Sequence, residues 1–224
     1  MGGARRGYLP LSTAVLAGGM SSRMGTDKAL LPLQAGGPPL LRLVLDRIEA
    51  VADEVTIVAT DRPAYGRFGV PLVADRFGDG GTLGGIATAL ATARHDHCLV
   101  VGCDMPFLSV ALLRWMVDQP RDYDILIPRL PGESRQGSGF VLQTLHAIYG
   151  RACLPAIERR LRAGRRQVIG FFDDVRVRIV EPETVRRFDP NLRSFFNANT
   201  PAAAEEARRL LGLEAPALPT RSDR

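Results

Sequence analysis

Short apolar runs alternate along this chain with stretches of helical period. The first, "STAVLAGG" at residues 12–19, has the length of a buried strand and ends in a glycine turn. In "PPLLRLVLDRIEAVA", Leu40, Leu41, Val44, Leu45, Ile48 and Val51 recur at three- and four-residue spacing, which predicts an amphipathic helix. "DEVTIVAT" and "VPLVAD" read as strands joined by a short helical segment. "GGIATALATARHD" then reads as helix, "HCLVVGCD" as strand, "SVALLRWMVDQ" as helix and "YDILIPR" as strand. Strand and helix taking turns in this way predict an α/β fold with a mainly parallel sheet.

The second half is less regular. "GSGFVLQ" predicts one more strand, and "TLHAIYGRACLPAIERRLRAG" predicts helix, with Pro155 starting a second helix inside it. "DVRVRIV" alternates with period two and reads as an edge strand. "NTPAAAEEARRLLG" carries helix punctuation: Asn199 or Thr200 as N-cap, Pro201 in the first turn, Gly212 at the end. Residues 1–212 are expected to form a single domain, and "LEAPALPTRSDR" at 213–224 a disordered tail.

Composition narrows the class. The 224 residues are 46% hydrophobic and 24% charged, ordinary for a soluble globular enzyme. The glycines and prolines follow no fixed period, and no internal repeat is present. The start lacks the apolar core of a signal peptide, and no apolar run approaches a membrane span. Cys98, Cys103 and Cys153 form no CxxC pair and read as small buried residues in a reducing compartment, so a cytoplasmic setting is expected. The net charge of +5 comes from residues 151–193, which hold 11 Arg against 6 acids. That segment has no interleaved aromatics and no zinc spacing, which argues against nucleic acid and for a basic wall facing a small phosphorylated substrate.

One cation stands apart: the chain has 28 Arg and a single lysine, Lys28, in "GGMSSRMGTDKALLPL". A glycine turn leaving a first strand suits phosphate, because backbone N–H groups can approach oxygens closely. Neither a P-loop nor the dinucleotide fingerprint matches: Lys28 follows Asp27, and Pro32 would interrupt a helix there. The loop instead presents Arg23 and Lys28 five residues apart and runs into extended chain, as if to fold over a triphosphate.

"LAGGMSSRMGTDKALL" resembles the signature loop of the molybdenum cofactor guanylyltransferases, within the GT-A-like nucleotidyltransferases. The resemblance continues, in order, through "LVAD", "GGTLGGIATAL", "GCDMPFL", "CLPAIERRLRAGRRQV" and "FFNANTP". It implies a Rossmann-like, three-layer α/β/α fold and transfer of GMP from GTP to molybdopterin with Mg²⁺, releasing pyrophosphate. Leu16, Ala17, Gly18 and Gly19 then cradle the nucleotide, Lys28 and Arg23 hold the triphosphate, Asp75 contacts the nucleotide and Asp104 ligates Mg²⁺. The product implies hand-over to molybdoenzyme-delivery proteins.

There are departures from the family pattern. Val58 stands where some members carry Asn, Gly81-Thr82-Leu83-Gly84-Gly85 replaces Gly-Pro-Leu-Ala-Gly, and Gln143-Thr144-Leu145 replaces Gln-Pro-Leu. They touch the base and pterin contacts, not the phosphate site. A cytidylyltransferase acting on the same pterin is the nearest rival, although its family tends to carry Leu-Ala-Ala-Gly in the first loop. A sugar-phosphate nucleotidyltransferase and a non-catalytic nucleotide-binding module rank behind it.

In the physical chemistry of an open α/β sheet, ligands bind beyond the carboxyl ends of the strands, where Gly18, Asp75 and Asp104 are expected. The attacking group would be a phosphate already carrying about −1.5 to −2 charge, so no general base is required. His95 and His97 read as loop residues, His146 as helix packing and Cys103 as a packing thiol. Arg165 and Arg166 either hold the pterin phosphate or are solvated charges at a helix end.

Overall fold

The computed structural model describes residues 9–18, 27–34, 36–60, 62–133 and 139–212. The apolar runs become strands: β1 (Ser12–Leu16), β2 (Glu54–Val58), β3 (Leu72–Val73) and β4 (His97–Gly102) are mutually parallel, in the spatial order β3-β2-β1-β4. Four further strands, β5 (Ile125–Pro131), β6 (Phe140–Leu142), β7 (His146–Gly150) and β8 (Val177–Val180), complete an eight-stranded sheet. β7 lies antiparallel between β4 and β5, β6 runs antiparallel along the later part of β5, and β8 pairs with β5 in parallel. β7 and β6 are the reversed strands in an otherwise parallel sheet.

Side chains alternate across this sheet, as the pleat requires. Val15, Leu99 and Val101 face one core; Ala14, Cys98 and Val100 face the other. The first core is covered by α1 (Leu40–Ile48), and the second by α2 (Gly81–Thr92). Helix α3 (Val110–Val117), capped by the Ser109 hydroxyl, joins α1, and α4 (Leu154–Arg162) packs beside α2. α5 (Pro182–Phe188) covers the α3 side through Val185, and α6 (Pro201–Leu210) packs Ala207 on Leu33, Leu40 and Phe107. The result is the expected three-layer α/β/α arrangement.

On α1, the predicted face is the buried one: Leu40, Leu41, Val44, Leu45 and Ile48 are all inside. Thr200 is the N-cap of α6, accepting from the Ala203 N–H at 3.0 Å, with Pro201 in the first turn and Gly212 at φ +68 beyond the end. Pro155 stands in the first turn of α4, which follows a 3-10 turn at Arg151–Cys153. His146–Gly150 is strand β7, a correction to the helix expected there and to the placing of His146 on it. Its five residues are all buried, so neither face shows a polar period to separate strand from helix.

No helix among the described residues is long and apolar enough to cross a membrane. The expected tail at 213–224 lies outside the described residues, as do residues 19–26.

Candidate active site

Parallel pairing brings several strand exits to one edge. Leu16 is in register with Val58 on one side and Gly102 on the other, and Val58 with Val73. Ladder bonds continue just past the strand ends. The Ala17 N–H donates to the Val58 carbonyl at 2.9 Å, Cys103 to Leu16 at 3.2 Å and Ala59 to Val73 at 3.0 Å. Gly18, Asp75 and Asp104 therefore leave the sheet at the same end. Among the described residues, a Cβ on Gly18 would meet only the Ala59 Cα, at 3.9 Å.

Asp104 lies two residues beyond β4 with its side chain folded back over the strand end. A Cβ on Gly102 would come within 2.7 Å of Asp104 Oδ1, so the glycine makes the space that the carboxylate fills. Burial pushes the Asp104 carboxyl above the usual carboxylate range, opposed by its own backbone N–H and by the Lys28 ammonium. Lys28 begins a single 3-10 turn, Lys28–Leu30, capped by Asp27. A third segment joins these two residues: the Ala198 N–H donates to the Asp104 carbonyl at 2.8 Å, and Lys28 Nζ donates to the Asn199 carbonyl. Lys28 is 171 residues from Asn199 in the chain, so only the fold brings this cation, this carboxylate and the lead-in to α6 together.

Asp75 is at the same edge, but its Oδ1 is already engaged. It accepts from the Thr88 hydroxyl of α2 at 2.8 Å and from the Phe77 N–H at 2.9 Å. Asp75 thus ties the exit of β3 to α2. The glycines of "GGTLGG" let that helix come close. A Cβ on Gly84 would lie 2.6 Å from the Phe77 carbonyl, and one on Gly85 would lie 3.0 Å from Leu16 Cδ1. Leu16 accordingly packs under α2, and Ala17 is buried in the core on the opposite face of the sheet. Gly19 and Arg23 fall in 19–26, outside the described residues.

Two cavities border the edge. Arg76, Gly78, Arg162 and Arg166 line one of about 360 Å³ between the turn before α2 and the end of α4. Arg166 faces this space, whereas Arg165 is exposed and does not line it. A second cavity, about 240 Å³, lies beside Lys28 among Leu31, Leu33, Leu40, Ala204 and Arg208.

Cys103 packs against the first core, and burial pushes its thiol up to about 12, which leaves no thiolate for attack near neutrality. His97 stacks edge-on against Tyr123 at the other end of β4, away from this edge.

Three participants were not singled out from the sequence: Asp27, Tyr65 and Gly102. Asp27 alone left a local sign, as an Asp before a short apolar turn. Tyr65 donates its hydroxyl to Asp27 Oδ1 at 3.0 Å across 38 residues, and nothing local signals that pairing.

Residues 13–177 match the family model of the MobA-like NTP transferase domain. A probable molybdenum cofactor guanylyltransferase of Pelotomaculum thermopropionicum is 40% identical over 200 residues, 89% of this chain and 93% of that protein. The molybdenum cofactor guanylyltransferase of Desulfosudis oleivorans is 34% identical over 86% of this chain and 92% of its own length. Among solved structures, molybdopterin-guanine dinucleotide biosynthesis protein A of Archaeoglobus fulgidus superposes with a TM-score of 0.73 at 26% identity. It covers 90% of this chain and 98% of that one.

Proposed function

This chain belongs to the molybdenum cofactor guanylyltransferases, within the MobA-like NTP transferase family, and from that membership we propose that it transfers GMP from GTP to molybdopterin. The observation that carries the reading is the meeting of Lys28 and Asp104 at the exit edge of the parallel strands, held by residues 198–199.

In the proposed step, a terminal phosphate oxygen of molybdopterin forms a bond to the α-phosphorus of GTP. The bond from that phosphorus to the oxygen bridging to the β-phosphate breaks, and pyrophosphate leaves with the electron pair. The difficulty is bringing two anions together, so the work is neutralisation and in-line placement. Lys28 would leave the Asn199 carbonyl for phosphate oxygens, with Arg23 as its neighbour. The backbone at Leu16, Ala17, Gly18 and Gly19 would carry the nucleotide, and Asp75 would hold the adjoining turn in place. Among the described residues Gly18 has room for a Cβ, so its absence is read as space kept for the base.

The residues fit a magnesium ion. Mg²⁺ is ordinarily held by one or two carboxylates together with substrate phosphates, and Asp104 is one carboxylate settled in the space Gly102 leaves, facing Lys28. Bound there, Mg²⁺ would supply charge neutralisation on the phosphates. Arg166 with Arg76 and Arg162 supports a place for the acceptor's phosphate at the same edge. A cytoplasmic setting and hand-over to molybdoenzyme-delivery proteins belong to the same proposal, and the three free cysteines support the former.

The test is pyrophosphate release with molybdopterin and each of GTP, CTP and ATP, with and without Mg²⁺. GTP should be preferred, because a site that hydrogen-bonds guanine leaves polar groups unpaired with another base. Equal kcat/KM with CTP would overturn the guanylyltransferase reading. Nucleotide binding without turnover would favour the non-catalytic module.

A further inference from the structure

Lys28 stands on a short support. The 3-10 turn that carries it is three residues long, and such turns have little stability of their own. What holds it is Asp27. Its backbone is extended (φ −71, ψ 104), and its Oδ1 accepts from the Ala29 N–H at 3.1 Å, which starts the turn. The same oxygen accepts the Tyr65 hydroxyl at 3.0 Å, and Oδ2 lies 3.4 Å from Arg62 Nε. Both partners come from the segment that leaves β2. Arg62 precedes, and Tyr65 belongs to, a 3-10 helix at Pro63–Phe68 closed by Gly69 at φ +69.

Tyr65 is fixed in the core. It is 1% exposed, in one core with Ala29, Ala59 and Met105. Packing alone would be served by phenylalanine, since a buried hydroxyl costs free energy unless it finds a partner. Burial, and then the Asp27 carboxylate, raise the pKa of this phenol, so it remains a donor. Its partner is the residue directly before Lys28. We propose that Tyr65 is a positioning residue for Lys28, acting through Asp27. Together with Arg62 it sets where the Lys28 backbone starts and hence where the ammonium meets the phosphates. The proposal rests on the reading of Lys28 as the phosphate-binding lysine.

A double-mutant cycle on the full chain tests it, with Tyr65→Phe and Lys28→Ala made singly and together. Pyrophosphate release is measured with GTP and molybdopterin, and GTP affinity is measured without acceptor. Tyr65→Phe should fold, lower kcat about tenfold and leave the KM for GTP within about threefold, as expected for a small misplacement of a reacting group. In the Lys28→Ala background the same substitution should change turnover by less than about twofold, because the residue it positions is gone. Asp27→Asn enters the same cycle and should show the same dependence on Lys28, so the test survives a Tyr65→Phe chain that does not fold.

Equal losses in both backgrounds would make Tyr65 a packing residue and overturn the proposal, as would full turnover in Tyr65→Phe. A Lys28→Ala chain with wild-type turnover and GTP affinity would overturn the assignment of Lys28 as well. A crippled Lys28→Ala beside an unaffected Tyr65→Phe would overturn the positioning role alone.

Discussion

Among the described residues, charged groups at the edge where the strands begin are matched by several partners, whereas at the edge where β1 and β4 end they have fewer. Before β4, the Arg151 guanidinium donates to the carbonyls of Leu90, Ala93 and His95, at 3.1, 2.6 and 3.2 Å. Before β5, Asp124 takes the Arg176 backbone N–H at 2.8 Å and two guanidinium N–H groups at 3.1 and 2.9 Å. These bonds hold its carboxyl below the usual range. Burial pushes Glu54 upward, but the Ser12 hydroxyl and the Arg94 N–H hold it lower on balance. At the exit edge the balance reverses among the described residues: burial wins at Asp104, Lys28 donates to one backbone carbonyl, and the His146 ring nitrogens are buried with no side-chain hydrogen-bond partner. One end of the sheet satisfies its charges and holds the fold. Under the proposed function the other would use its less matched charges on a ligand, the division expected when a site is placed on a rigid scaffold.

Asp104→Asn should break this contrast most sharply. Turnover should fall on the order of 10³-fold, the several kcal/mol that a metal's neutralisation of phosphate charge supplies. The melting temperature should stay level or rise, because the amide removes an ionised group that burial disfavours. Steady-state kinetics and a thermal melt on one preparation check both halves, and loss of activity together with loss of stability would put Asp104 among the structural residues.

His146 comes next. Burial lowers its pKa from 6.5 to about 4, so the folded state favours the neutral ring. Stability from this group is complete above pH 6.5 and is lost as pH falls toward 4, by about 3 kcal/mol. Urea unfolding between those pH values should show that slope, and His146→Leu should flatten it.

Lys28→Arg is expected to fold normally and lose about 10²-fold in kcat, because a planar guanidinium crowds a site shaped for a compact ammonium. Turnover within about threefold of wild type would make the lone lysine an accident of composition. Arg151→Ala, at the opposite edge, should do the reverse. It should lose about 2 kcal/mol and several degrees of melting temperature as three carbonyls lose a charged donor, with kcat unchanged within about twofold.

Much of this was legible along the chain. The buried face of α1, the Thr200–Pro201 start of α6 and the strands from β1 to β5 follow from periodicity and punctuation, which depend on neighbours a few residues apart. The lysine's isolation among arginines pointed at the loop, and residues at predicted strand ends pointed at one edge of a parallel sheet. β7 was misread because a strand covered on both faces has the same all-apolar signature as a buried helix, and pairing with β4 and β5 is what distinguishes it.

The sequence by itself thus determined the layers, the edge and the candidate cation and carboxylate. Tertiary structure decided how they are held. Asp104 is tied to Ala198, Lys28 to Asn199 and Asp27 to Tyr65 by single bonds spanning from 38 to 171 residues. Such bonds leave no period or spacing in the chain, because their geometry exists only after the strands have paired and the cores have closed around them.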